Sequence, residues 1–219
     1  MVDNKSIDRY IENLFVPPDP ALSAALKDSE NAGLPEIHIS PNQGRLLYLL
    51  ARIAGARRIL EIGLLGGYST IWLARALPAD GQMISLELEE KHARVALKNI
   101  ERAGLQARVS VRMGSATAIM DQMIRANEAP FDLIFIDADK TGYSDYLQRS
   151  MQLVHSGSVI IADNVIRDGK VLKPDGGGDE DARAIQKFNR ELAADTRLEG
   201  ILLPIIREIM DGMAIARVR

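Results

Sequence analysis

The chain has 219 residues, 47% of them hydrophobic, which fits one large α/β domain with a full core. Its 27 basic and 30 acidic residues leave a net charge of -3, which argues against a nucleic-acid or membrane-surface partner. There is no cysteine, excluding disulfides and thiolate zinc sites, and no apolar run approaches the ~18 residues of a membrane span.

The start, Met1-Val2-Asp3-Asn4-Lys5-Ser6, is polar and unlike a signal peptide, so the expected location is the cytoplasm. Two amphipathic helices are expected over residues 5–15 and 19–32, split by Pro17-Pro18, and a third from Pro41 to Ile53 with Ser40 as its N-cap. A strand–helix alternation follows. Expected strands are Arg58–Ile62, Met83–Glu87, Arg108–Arg112, Asp132–Ile136 and Ser158–Ile161. The helices between them are Ser69–Leu77, Glu89–Ala103, Ser115–Ala126 and Tyr143–Val154. This rhythm predicts a doubly wound, Rossmann-like parallel sheet. After the Gly-rich stretch Asp175–Gly178, expected to act as a mobile lid, come a helix over Asp181–Ala194 and strands Leu198–Pro204 and Gly212–Val218. Their short connection permits a hairpin and not a parallel crossover, so the last strand should be antiparallel. The chain therefore reads as a single domain, 1–219, with an N-terminal helical segment (1–55) and an α/β core (56–219).

Chemistry concentrates at two strand ends. Ile136-Asp137-Ala138-Asp139-Lys140 follows one apolar run and Ile161-Ala162-Asp163-Asn164 the next. In open α/β sheets that edge is where ligands bind. Asp137, Asp163 and Asn164 offer hard oxygen donors suited to Mg²⁺, with Ca²⁺ or Mn²⁺ as alternatives. Lys140, three residues past Asp137, can face the same ligand.

The first strand runs into Glu61-Ile62-Gly63-Leu64-Leu65-Gly66-Gly67-Tyr68-Ser69. Glycines there let a ligand approach the backbone, and the next helix offers free N–H groups. The dinucleotide pattern G-x-G-x-x-G is broken at Leu65, which weakens the alternative of an NAD(P)-dependent oxidoreductase. Glu61 can accept from an ammonium group, and Glu87, ending the second strand, from ribose hydroxyls. S-adenosylmethionine carries both groups. A tight turn with two solvated glutamates is the plain alternative.

With these residues assembled, the chain resembles the cation-dependent class I O-methyltransferases, the caffeoyl-CoA and catechol O-methyltransferase group. The resemblance runs from about Ile37 to Arg219, on Glu61-Ile-Gly63…Gly67-Tyr-Ser69, Phe135-Ile-Asp137-Ala-Asp-Lys140, Asp163-Asn164 and Asp211-Gly212. It implies a seven-stranded sheet with an antiparallel last strand and a homodimer. It implies that Asp137, Asp163 and Asn164 hold the cation. It also implies that Ile37, Ile39, Glu61, Gly63, Ser69, Glu87, Ala116 and Asp137 border S-adenosylmethionine, and that Lys140 is the general base, with Asp137 beside it in catalysis. A free phenol has a pKa near ~10 and is mostly protonated at neutral pH. A divalent cation and Lys140 together would remove that proton. A vicinal diol would be the favoured acceptor, among catechols, hydroxycinnamates or flavonoids. A non-catalytic cofactor-binding module is a further alternative, opposed by the complete Asp137/Lys140/Asp163/Asn164 set.

Two departures concern the acceptor. The plant enzymes carry Trp after the Asp-Asn pair, where this chain has Val165-Ile166-Arg167-Asp168-Gly169. The animal catechol enzymes place a second carboxylate before the last strand. Aligned on Arg207-Glu208, that position here is Ile205, with Glu208 as a possible compensation, so a more apolar acceptor pocket is expected. His38, His92 and His155 show no metal spacing and read as structural or exposed, and Trp72 as core. Asp139 reads as a loop cap or as a supporting carboxylate, and Glu89-Glu90 as helix N-terminal charges.

Overall fold

The computed structural model describes residues 3–206 and 210–219. Three helices come first: α1 (Asn4–Phe15), α2 (Pro20–Asn31) and α3 (Pro41–Ile53). Asp3, Asp19 and Ser40 cap them with side-chain oxygens, and Pro20 and Pro41 stand at first-turn positions where a missing N–H costs nothing. Ser40 and Gln43 form a reciprocal capping box. The alternating core follows: β1 (Arg58–Ile62), α4 (Tyr68–Ala76), β2 (Gln82–Glu87), α5 (Glu90–Arg102), β3 (Val109–Met113), α6 (Ala116–Arg125), β4 (Phe131–Ile136), α7 (Tyr143–Ser150), β5 (Val154–Asp163), α8 (Glu180–Ala194), β6 (Leu198–Ile206) and β7 (Met210–Val218).

The sheet order is β3-β2-β1-β4-β5-β7-β6. β1 to β5 pair in parallel, and β7 runs antiparallel to both β5 and β6, as the short connection requires. Alternate strand residues serve two apolar layers. Ile59, Met83, Leu133, Phe135 and Ile161 pack with α2 to α5, while Leu60, Leu86, Ile134, Ile136 and Ile160 pack with α6 to α8. Burial on both faces is why these strands read as continuous apolar runs. Trp72 lies in the first layer as expected, against Gly44, where a Cβ would come within 2.3 Å of its indole nitrogen.

Two expectations are corrected. The helix expected over Tyr143–Val154 ends at Ser150, and β5 begins at Val154, earlier than the expected Ser158. Phe131 N–H donates to the Leu153 carbonyl and Ser158 Oγ to the Phe131 carbonyl, so pairing with β4 captures a segment whose apolar spacing looked helical. The pairing shifts register between Phe131 and Leu133. The Gly-rich stretch, Pro174–Gly178, folds into a tight turn with Asp175, Gly176 and Gly177 at positive φ and Gly176 buried against Ala182 and Arg183 of α8. Among the described residues no helix is long and apolar enough to cross a membrane.

Candidate active site at the sheet switch point

The sheet order reverses between β1 and β4, and there the carboxyl ends of β1, β2, β4 and β5 border a cavity of about 920 Å³. That lies within the ~300–1,000 Å³ usual for ligand sites. Gly63 leaves β1 at φ +97°, and a Cβ built on it would stand 2.0 Å from the Asp137 carbonyl oxygen. Only glycine lets the ends of β1 and β4 approach this closely. Ile37, Ile39, Gly63, Ser69, Glu87 and Ala116 all line the cavity. So do Asp137, Lys140 and Asn164.

Glu61 does not. It is fully buried behind the wall, on the α4 side of β1, where its two oxygens accept from Ser69 Oγ (2.6 Å), Thr70 Oγ1 (2.6 Å) and Ser85 Oγ (2.7 Å). Burial pushes its carboxyl up to about 7, against the pull of the three hydroxyls. It reaches the cavity through the Ser69 hydroxyl and not directly, which corrects the expectation of an open carboxylate facing an ammonium group. Glu87 does face the cavity, but its oxygens already accept four backbone N–H groups: Leu64 and Leu65 on one, Leu88 and Glu89 on the other. A ribose would share this carboxylate with the loop that follows β1.

At the other end, Lys140 is nearly buried, and its Nζ donates to Asp137 Oδ1 (3.1 Å) and to Tyr143 Oη (2.7 Å). Tyr143, fully buried, donates in turn to the Asp163 carbonyl (2.9 Å), so its side chain bridges the two strand-end motifs. Desolvation holds the Tyr143 phenol well above its usual range, with Asp137 and Asp163 adding to the rise. Asp163 lies beneath the cavity, 2% exposed, with both oxygens accepting from Gln43 Nε2 of α3 (3.0 and 3.1 Å). Desolvation, then the nearby Asp137 charge, raises its carboxyl, a pair of like charges that a cation would relieve. Among the described residues no three His, Cys, Asp or Glu side chains group closely enough to hold a metal, so a site here needs the Asn164 amide as a donor. Asn164 sits in the left-handed region at φ +58°.

Several wall residues escaped the sequence. His38 and His92, read as structural or exposed, both line the cavity; His38 lies 5.7 Å from the Tyr68 ring and His92 Nδ1 3.5 Å from Glu87. Asp139 caps a turn through the Gly142 N–H and accepts from Tyr146 Oη at 2.5 Å. Asp139, Asp145, Arg167 and Asp181 also line the wall, and Arg167 Nη2 lies 3.0 Å from Asp181. Ile205, half-buried, packs against the layer of α2 to α5, and Arg207-Glu208 lie outside the described residues. None of Asp175–Gly178, expected as a lid, is among the described residues lining the cavity.

Residues 19–219 match the family described as O-methyltransferase. The chain belongs to the O-methyltransferase family. A catechol O-methyltransferase of Niastella koreensis is 48% identical over 217 residues, covering 98% of this chain and 97% of that protein. A catechol O-methyltransferase of Mycobacterium tuberculosis is 42% identical over 214 residues, covering 97% and 95%. The crystal structure of an O-methyltransferase from Bacillus cereus in complex with SAH matches at a TM-score of 0.94 and 42% identity, covering 98% of each chain. The oxidoreductase alternative is thereby replaced. In this methyltransferase the glycine loop, Ser69, Glu87, Asp137, Lys140 and Asn164 line one cavity.

Proposed function

We propose that this enzyme transfers a methyl group from S-adenosylmethionine to a hydroxyl of a catechol-type phenol, with hydroxycinnamoyl and flavonoid catechols in the same class, and needs a divalent cation, Mg²⁺ first, to do so. The observation that carries this reading is the convergence of Asp137, Lys140 and Asn164 on one cavity, next to the buried Asp163 and beside a glycine loop that a nucleoside can approach. A cation held by Asp137, Asp163 and Asn164 would supply the positive charge that favours an ionised phenol. Gln43 can keep its contact with Asp163, since each carboxylate oxygen has two lone pairs.

The chain's own groups do the rest. Ser69, its hydroxyl fixed by Glu61, and the Gly63 backbone hold the amino-acid end of the donor; Glu87 takes the ribose, and Ile37, Ile39 and Ala116 cover the apolar faces. Lys140 receives the phenolic proton on Nζ, and Tyr143 and Asp137 keep that nitrogen in place. Holding the donor carbon and the acceptor oxygen in line contributes up to ~7–11 kcal/mol through orientation. The names of the two curated relatives support a catechol acceptor, and the bound ligand of the Bacillus cereus structure supports the donor. The enzyme is proposed to be a cytoplasmic homodimer. The apolar face that α1 leaves exposed (Tyr10, Leu14 and Phe15) supports self-association.

The test is methyl transfer from labelled S-adenosylmethionine across a catechol panel, with EDTA and with Mg²⁺, Mn²⁺ or Ca²⁺ restored. Activity lost to EDTA and regained with a cation is expected. Full turnover by Asp163→Ala, or turnover indifferent to EDTA, would refute the cation-dependent reading.

A further inference from the structure

The loop after β5 is hard to build. Asn164, Arg167 and Asp168 have φ of +58°, +53° and +51°, and Gly169 follows at +70°. Non-glycine residues in that region are strained and persist only when their surroundings over-determine them. Here the surroundings are the first residues of β7. Asp211 Oδ1 accepts from Ile166 N–H (3.0 Å) and Arg167 N–H (2.9 Å), and also from its neighbour Gly212 (2.8 Å). Gly212 accepts through its carbonyl from Val165 N–H (3.0 Å), and the Met210 carbonyl accepts from Asp168 N–H (2.9 Å). Four consecutive N–H groups of the loop are thus read by three consecutive residues of β7. Gly212 leaves room for the Ile166 side chain, whose Cδ1 would stand 2.5 Å from a Cβ at that position.

We propose that Asp211 is a positioning residue for the cation end of the site: one carboxylate oxygen fixes the backbone of residues 166 and 167 and thereby sets Asn164 and Arg167 on the cavity wall. The proposal rests on the cation reading given above. Asp211 is not a wall residue and would touch neither acceptor nor donor. Its requirement is for an acceptor at that point in space. Asparagine offers a carbonyl oxygen in the same place, whereas alanine offers nothing.

The experiment compares wild-type enzyme, Asp211→Asn and Asp211→Ala, each saturated with S-adenosylhomocysteine, by the electron paramagnetic resonance signal of free Mn²⁺. S-adenosylhomocysteine affinity and melting temperature are measured alongside. Asp211→Ala should weaken Mn²⁺ binding at least tenfold, and Asp211→Asn no more than threefold, with S-adenosylhomocysteine affinity within twofold of wild type in both. A purely structural role would move the melting temperature and both affinities together. Mn²⁺ binding by Asp211→Ala equal to wild type overturns the positioning role alone. A tenfold loss in Asp211→Asn overturns it too, by showing that charge and not the acceptor matters, and this arm decides the question if the alanine variant does not fold. Absence of Mn²⁺ binding by the wild-type enzyme overturns the cation reading itself, and the positioning role with it.

Discussion

Replacing Gly63 by alanine tests the joint between the two halves of the site. The new Cβ would stand 2.0 Å from the Asp137 carbonyl oxygen and 2.8 Å from its carbon, where contact normally begins near 3.4 Å. The obstacle is backbone, held by the Asp137 N–H bond to the Ile62 carbonyl (2.9 Å), so no side chain can swing aside. Relief requires the end of β4 to move by more than 1 Å or β1 to give up its φ of +97°. Strain of about 1–2 kcal/mol for a Cβ at positive φ, plus an overpacking cost of about 1–3 kcal/mol, gives a destabilisation of roughly 2–5 kcal/mol. For a domain of this size that is a fall in Tm of about 4–20 °C. Displacing Asp137 by ~1 Å should also lower turnover by at least ~100-fold. Scanning calorimetry and catechol methylation, with donor and cation saturating, read the two effects. A Gly63→Ala enzyme that melts within 2 °C of wild type and keeps its turnover would show that the contact between β1 and β4 does not constrain the site as described.

Three further outcomes follow from the same geometry. Tyr143→Phe removes both the acceptor for Lys140 and the donor to the buried Asp163 carbonyl; turnover should fall about tenfold or more and stability by about 1–3 kcal/mol, with S-adenosylhomocysteine affinity unchanged by calorimetric titration. Unchanged turnover would mean that Lys140 needs no such support. Glu61 carries a carboxyl raised to about 7 from 4.5, so the folded state holds that proton more tightly than the unfolded one. Its contribution to stability is therefore full below about pH 4.5 and declines by roughly 3 kcal/mol as pH rises through 7. Denaturant titrations of metal-free protein should show a shallower pH slope in Glu61→Gln than in wild type; parallel slopes would contradict this. His155 is raised above 6.5 by the Ser156 carbonyl and by Asp132, whose carboxylate lies 2.9 Å from its Nε2. The stabilising charge is present below pH 6.5 and lost as pH rises through the higher folded value. Proton NMR should place the His155 midpoint above 6.5 in wild type and lower in Asp132→Asn, which keeps the Ser156 contact but loses the Asp132 charge.

Strand ends were legible because parallel strands buried on both faces leave unbroken apolar runs, and the residue that follows each run is the one delivered to the switch point. Asp137, Asn164, Gly63 and Glu87 could all be placed on that basis. Partners separated by long stretches of chain could not. Gln43 meets Asp163 across 120 positions, and nothing in its helix marks it beyond a capping box. Tyr143 looked like the first residue of an ordinary amphipathic helix, and its role depends on two strand ends lying side by side. Glu61 was located correctly along the chain, but the alternation of a strand sends its side chain towards Ser69, Thr70 and Ser85, away from the opening. The wall positions of His38 and His92 were hidden for a related reason: the end of α2, the start of α5 and the loop between α2 and α3 border the cavity, so polar residues without metal spacing become part of its wall.

The helices ahead of the first strand look like a preface to the α/β core, yet one of them reaches under its most sensitive point. Among the described residues, Gln43 Nε2 is the side-chain donor to both oxygens of the buried Asp163. A shortened protein starting at Arg57 would keep every strand yet lose the amide from which both oxygens of Asp163 accept. Graft or trimming experiments on this scaffold must carry α3 along, as part of the floor.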